Sequence, residues 1–150
     1  MNPSIDRTEA VKQLFVSTDT LYRRWRSSFF KVVANEEISP VQISILVALL
    51  YGKGRMSGRN LCEALSMSPS ALSQQLDSLN SMGYLTKETD TNDRRITYFG
   101  MTDAGRELAE MLESKRMEFF KEVTASLSDR EMAAIMAIQE KMTRYLTDHK

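Results

Sequence analysis

Ser66-Met67-Ser68-Pro69-Ser70-Ala71-Leu72-Ser73-Gln74-Gln75-Leu76-Asp77-Ser78-Leu79-Asn80-Ser81-Met82-Gly83 is the stretch that decides the fold of this chain. Ser68-Pro69 reads as a helix start: serine can cap, and proline tolerates the first helical position because its missing N–H would have no partner there. Leu72, Leu76 and Leu79 then recur at steps of four and three, so one face of the helix is buried. Ser70, Ser73, Gln74 and Asp77 fall on the other face. Gly83 ends the helix, and Tyr84-Leu85-Thr86-Lys87-Glu88 leaves it with strand-like alternation. One step upstream, Ser57 caps a shorter helix with Leu61 and Leu65 inward. One step downstream, the polar tip Thr89-Asp90-Thr91-Asn92-Asp93-Arg94-Arg95 leads into a second strand, Ile96-Thr97-Tyr98-Phe99. A short helix packed behind a polar-faced helix is the geometry that enters a DNA major groove, and a charged hairpin beside it is a natural wing.

Further outward, helical periodicity runs from about Ile5 to Ala34 through Val11, Leu14, Phe15, Thr18, Leu21, Tyr22, Trp25, Phe29, Val32 and Val33. Residues 1–4 are expected to fray. Asn35-Glu36-Glu37-Ile38 reads as a loop, and Ser39-Pro40-Val41-Gln42 as a capping box. The helix after it should bury Ile43, Leu46, Val47 and Leu50, and Gly52-Lys53-Gly54 breaks it. Arg55-Met56 is a candidate third strand. Thr102 caps a helix that runs through Leu108, Met111, Leu112, Phe119, Phe120 and Val123. Ser128-Asp129-Arg130-Glu131 is a second capping box, opening a last helix with Met132, Ile135, Met136, Ile138, Met142, Tyr145 and Leu146 at helical spacing. The fold class is therefore mainly α (α+β): a winged helix-turn-helix with a two- or three-stranded wing sheet, flanked by N- and C-terminal helices. One domain over 1–150 is expected, with 39–101 as the DNA-binding lobe and helices 5–34 and 103–148 for dimerisation. The flanking apolar stripes exceed what a small winged helix can cover, so part of them should face a second copy of the chain.

Composition bounds the function. Twenty basic and twenty acidic side chains cancel, which counts mildly against nucleic-acid binding. Local charge answers in part: Lys53, Arg55 and Arg59 stand against Glu63, and Arg23, Arg24, Arg26 and Lys31 have no acid among residues 20–31. DNA contact must then rest on a few placed cations and polar side chains. No apolar run spans a membrane and no secretory signal is present, so a cytoplasmic protein is expected. A single cysteine, Cys62, excludes an internal disulfide and is expected to be a small buried thiol. The only histidine, His149, lies in a tail expected to fray, so neither a metal site nor a Ser/His/Asp constellation assembles. There is no glycine-rich phosphate loop. No cofactor is expected, and an enzyme is disfavoured.

The pieces Ser66 to Gln74, Leu79 with Met82-Gly83-Tyr84-Leu85, Asp90 with Asp93-Arg94-Arg95, and Met101-Thr102-Asp103-Ala104-Gly105 together resemble the MarR family of bacterial transcriptional regulators. The likeness extends to Ser39-Pro40-Val41-Gln42. It implies a homodimer on double-stranded DNA, most often a repressor of pseudo-palindromic operators relieved by a small-molecule effector. It implies DNA contacts from Ser57, Arg59, Ser68, Ser70, Ser73, Gln74, Arg94 and Arg95. It favours Arg95 for the minor groove with Arg94 as the alternative, and has Asp93 brace the tip by holding the neighbouring guanidinium. Family members often carry a basic residue where Gln74 stands. Relatives that sense oxidants carry a thiol in the first helix, which this chain lacks. Tyr22, Trp25 and Phe29 can be read as lining an effector pocket or as dimer core. Ten methionines suit an adaptable interior under either reading. The rival reading is a winged-helix protein–protein adaptor without a DNA site.

Overall fold

The computed structural model describes residues 6–33 and 37–149. The expected fraying of residues 1–4, the helix start at Ile5 and the positions Ala34, Asn35 and Glu36 lie outside them. The elements are α1 (Arg7–Val32), α2 (Pro40–Tyr51), β1 (Arg55–Ser57), α3 (Gly58–Leu65), α4 (Pro69–Ser81), β2 (Leu85–Thr89), β3 (Thr97–Met101), α5 (Asp103–Thr124) and α6 (Asp129–Asp148). Packing divides the chain into two compact units, Met1–Arg116 and Met117–Lys150.

The local signals act where they were read. Ser39 accepts from the Gln42 N–H while the Gln42 side chain accepts the Ser39 N–H at 2.7 Å, a closed capping box. Ser57 and Ser68 cap α3 and α4 through the N–H groups of Asn60 and Ala71. The end of α4 is a full Schellman turn: Tyr84 N–H reaches Leu79 O, Gly83 N–H reaches Asn80 O, and Gly83 takes φ +80. The α3–α4 turn puts Ser66 at φ 52, a left-handed conformation that a side chain adopts at a cost.

The three strands form an antiparallel sheet in the order β1-β3-β2. Arg55 pairs with Gly100 and Ser57 with Tyr98, so the expected third strand is present. The hairpin is closed one residue beyond the expected strand start. Ile96 accepts from Asp90 N–H and β3 begins at Thr97.

The core of the first unit is built around α2. The predicted inward face of α2 was Ile43, Leu46, Val47 and Leu50, but Ile45 and Leu49 are fully enclosed and Leu50 is only half-buried. The helix is packed by α3, α4 and the sheet from several sides and only Ser44 and Tyr51 are exposed, so its apolar residues do not mark a single buried face. Leu61, Leu72, Leu76, Leu79, Leu85 and Phe99 close the lobe around it. Cys62, expected to be buried, is half-buried because Leu61 takes the core position of its short helix.

The start of α5 is held against the end of α4. Thr102 donates its hydroxyl to Gly83 O at 2.8 Å and caps α5 by accepting from Gly105 N–H. A Cβ on Gly105 would stand 2.0 Å from the Tyr84 carbonyl oxygen, so only glycine permits this approach.

In the second unit, Ser128 and Glu131 close the expected capping box. The two bonds from Ser128 hold the Glu131 carboxyl below its ordinary value. None of the twenty residues of α6 is buried. The His149 ring stacks on Tyr145 at 4.2 Å, with Nδ1 2.9 Å from the Tyr145 carbonyl, so the residue expected to fray is held against the end of α6. Among the described residues no helix is long and apolar enough to cross a membrane.

Candidate nucleic-acid interface

Helix α4 presents Ser70, Ser73, Gln74 and Asp77 to solvent and buries Leu72, Leu76 and Leu79. Its back is pinned by α2. The buried Gln42 amide donates to Ser78 at 3.0 Å, and Ser39 donates to Gln75 at 3.4 Å. One glutamine thus closes a cap and orients the exposed helix. This role was invisible in the sequence, where Gln42 signalled the cap alone and Ser78 nothing. Asp77, the sole charge on α4, lies 3.7 Å from Lys87 of β2, which offsets a negative charge beside the polar face.

The serines divide into two kinds. Ser57 and Ser68 spend their hydroxyls on caps, and Ser68 also lies 3.3 Å from the Ser70 hydroxyl. Ser70 and Ser73 remain outward. Arg59 is exposed but ion-paired with Glu63 one turn on, at 3.1 Å.

The tip of the wing is ordered by two acids acting on backbone. Asp90 accepts from Asn92 N–H and Asp93 N–H at 2.8 and 2.9 Å, and those bonds hold its carboxyl below its ordinary value. Asp93 accepts from the Arg95 N–H at 3.0 Å. The expected brace on a neighbouring guanidinium is therefore corrected to a brace on the backbone: a short carboxylate reaches the N–H two residues on more readily than the end of a long side chain. Asp90, which the motif reading left without a task, carries two of the three bonds. Among the described residues neither Arg94 nor Arg95 forms an ion pair. Arg95 lines a groove of about 620 Å³ with Ser57, Gly58, Arg59 and Tyr98, and Arg94 does not. Arg55, by contrast, is committed to the sheet, 2.9 Å from Glu88 and 4.2 Å from the centre of the Tyr98 ring.

The aromatic residues of α1 separate. Phe29 is buried and tilted against Phe30, Trp25 is half-buried, and Tyr22 is exposed. A cavity of about 340 Å³ is lined by Tyr22, Arg26 and Phe30 with Val41, Ser44 and Met67. Of the three aromatic residues read as pocket or dimer core, Tyr22 lines this cavity and Trp25 and Phe29 do not. The row spaced four residues apart, 22–26–30, faces it and the neighbouring row turns away.

A helix-turn-helix with an exposed polar second helix, closed by a three-stranded sheet with a basic hairpin tip, defines a winged helix-turn-helix protein. Residues 37–96, which hold most of the winged helix, match the sequence model of the MarR family. The chain is 29% identical to the HTH-type transcriptional regulator YdgJ of Bacillus subtilis over 97 residues, 65% of this chain and 59% of that protein. It is 22% identical over 143 residues to the HTH-type transcriptional repressor MdtR of the same organism, covering 95% of this chain and 92% of that one. Among solved structures, a mutant MarR from E. coli complexed with operator DNA superposes with a TM-score of 0.77 at 19% identity, over 92% of this chain and 99% of that one. The organohalide-sensing regulator RdhR in its 2,4-dichlorophenol-bound form gives 0.78 at 13% identity, over 97% and 88%. At such identities the superpositions show a shared fold. The curated relatives are regulators rather than enzymes.

Proposed function

We propose that this protein is a cytoplasmic, homodimeric, sequence-specific DNA-binding repressor of pseudo-palindromic operators, relieved by a small-molecule effector. The observation that carries the reading is the pairing of an outward Ser70/Ser73/Gln74 face with a backbone-braced tip whose two arginines form no ion pair among the described residues. Gln74 reads a base edge, since its amide can pair bidentately with adenine in the major groove. Ser70 and Ser73 set the helix against phosphate or nearby base edges. Ser57, Arg59 and Ser68 flank the site at the starts of α3 and α4. Arg95 enters the minor groove, where narrow A·T-rich segments concentrate negative potential. In the free chain it lines the groove beside Arg59, and an exposed arginine changes rotamer at little cost.

Helices 5–34 and 103–148 would pair two copies, placing two α4 helices about 34 Å apart to match successive major grooves. The cavity beside Tyr22, Arg26 and Phe30 supports an effector that shifts the lobes. That RdhR was solved with a chlorophenol, MarR with operator DNA, and that MdtR is named a repressor, support the same reading. A mobility-shift titration against genomic fragments at two salt concentrations tests it. Retardation of a subset of fragments that weakens steeply with salt is expected. No retardation at micromolar protein favours the adaptor reading, which the zero net charge supports.

A further inference from the structure

Away from the polar face of α4, three side chains join the end of α2 to α5. Tyr51, the last residue of α2, donates its hydroxyl to Oε1 of Glu113. Arg116 donates to the same oxygen at 2.8 Å and to the Tyr51 hydroxyl at 3.3 Å. Its guanidinium lies 6.0 Å from the Tyr51 ring centre and 2.7 Å from Glu113 Oε2. The Glu113 side chain is only 14% exposed. Burial opposes its charge, but the bonds from Arg116 and Tyr51 outweigh burial and hold its carboxyl below the ordinary value.

At its start α5 is tied to the lobe by the Thr102 bonds to Gly83 and Tyr84, but farther along the apolar burial of Ala109 and Leu112 is non-directional and does not by itself set an angle. A carboxylate shared by a phenol and a guanidinium is directional, and it breaks if the end of α2 turns. From that end the chain passes through Gly52-Lys53-Gly54 into β1, α3 and α4. We propose that Tyr51, Glu113 and Arg116 are positioning residues that fix the angle of the winged helix on α5, and through it the half-site spacing a dimer accepts. The proposal rests on the DNA-binding reading above.

The test uses the full-length protein and an operator selected from random DNA, with one base pair inserted or deleted between half-sites. Anisotropy titrations compare the native chain with Tyr51→Phe and Glu113→Gln, and thermal melting is recorded for each. The variants are expected to lose discrimination between native and altered spacing by about fivefold or more, the lower range of site-to-site couplings. Arg116→Lys, which keeps the charge, should retain part of it. A contact that only stabilises the fold would lower the melting temperature and weaken all spacings together, and that result overturns the proposal. Unchanged discrimination in Glu113→Gln also overturns it. If the native chain binds no DNA, the function itself fails and the inference with it. Sharp spacing preference in the native chain with none lost in the variants fails the inference alone.

Discussion

The winged helix and the terminal helices of this chain meet solvent in opposite ways. In the lobe, Ile45, Leu46, Leu49, Leu61 and Leu79 are 0% exposed. In α6, Ile138 is 58% exposed, Tyr145 63% and Leu146 66%, and in α1 Leu14 is 57% and Phe15 74%. The residue types are alike, so composition does not explain the difference. The lobe buries residues from all three of its helices and its sheet, and α1 and α5 bury a few (Phe29, Ala109, Leu112), whereas α6 buries none. Fully burying a large apolar side chain is worth roughly 1.5–3 kcal/mol, and side chains this exposed forgo more than half of it. A stripe of such residues on an otherwise charged helix is what the proposed pairing with a second copy of the chain would cover.

The sharpest way to break this comparison is to put charge on the open helices. Ile138→Glu with Met142→Glu should leave a monomer at micromolar concentration by light scattering, because an obligate interface of more than about 2,000 Å² tolerates no unpaired carboxylates. A dimer mass that survives would mean the stripe of α6 is not the interface. The reciprocal change, Leu49→Ala in the closed core, should cost about 2–5 kcal/mol in urea unfolding while the mass stays that of a dimer. Destabilisation below about 1 kcal/mol would show that the lobe is less tightly closed than its burial indicates.

Smaller effects belong to the outer face of the lobe. Gln74→Ala should weaken binding to the preferred operator by about 1–3 kcal/mol and flatten preference at one position per half-site. An equal loss on random DNA would demote Gln74 to a positioning contact. Arg95→Ala should lower the salt slope by about 1 per wing, most visibly on A·T-rich flanks, with partial recovery in Arg95→Lys. An unchanged slope in Arg95→Ala, with a lowered one in Arg94→Ala, would reverse their order. Asp93→Ala should lose affinity although it removes a negative charge, since the carboxylate orders the Arg95 backbone. Tighter binding would mean the tip acts only as diffuse charge.

The smallest effect is on acid stability. The folded Glu113 carboxyl lies below its ordinary value, so its contribution is complete above the unfolded value and is lost as pH falls through the folded one. Glu113→Gln should therefore flatten the acid limb of the melting temperature below the ordinary carboxylate range and leave the neutral side of the profile level. A curve parallel to that of the native chain would show that the pair carries no linked protonation.

Helix α4, its caps, its stop at Gly83 and the capping boxes at Ser39 and Ser128 were legible in the sequence by itself, while the third strand at Arg55 was one of two alternatives it left open. Each is written within a few residues: a cap joins positions two or three apart, a leucine row repeats within one helix, and glycine marks the left-handed residue after it. The tertiary structure alone decided what depends on residues far apart. Gln42 meets Ser78 across 36 positions and Tyr51 meets Glu113 across 62. Ile45 and Leu49 are enclosed because other elements wrap α2. Phe29 turns inward while Phe30, its immediate neighbour, lines the cavity. A local pattern states which face of an element is apolar. Only the arrangement of the other elements determines how many faces are covered, and which polar groups are brought close enough to bond.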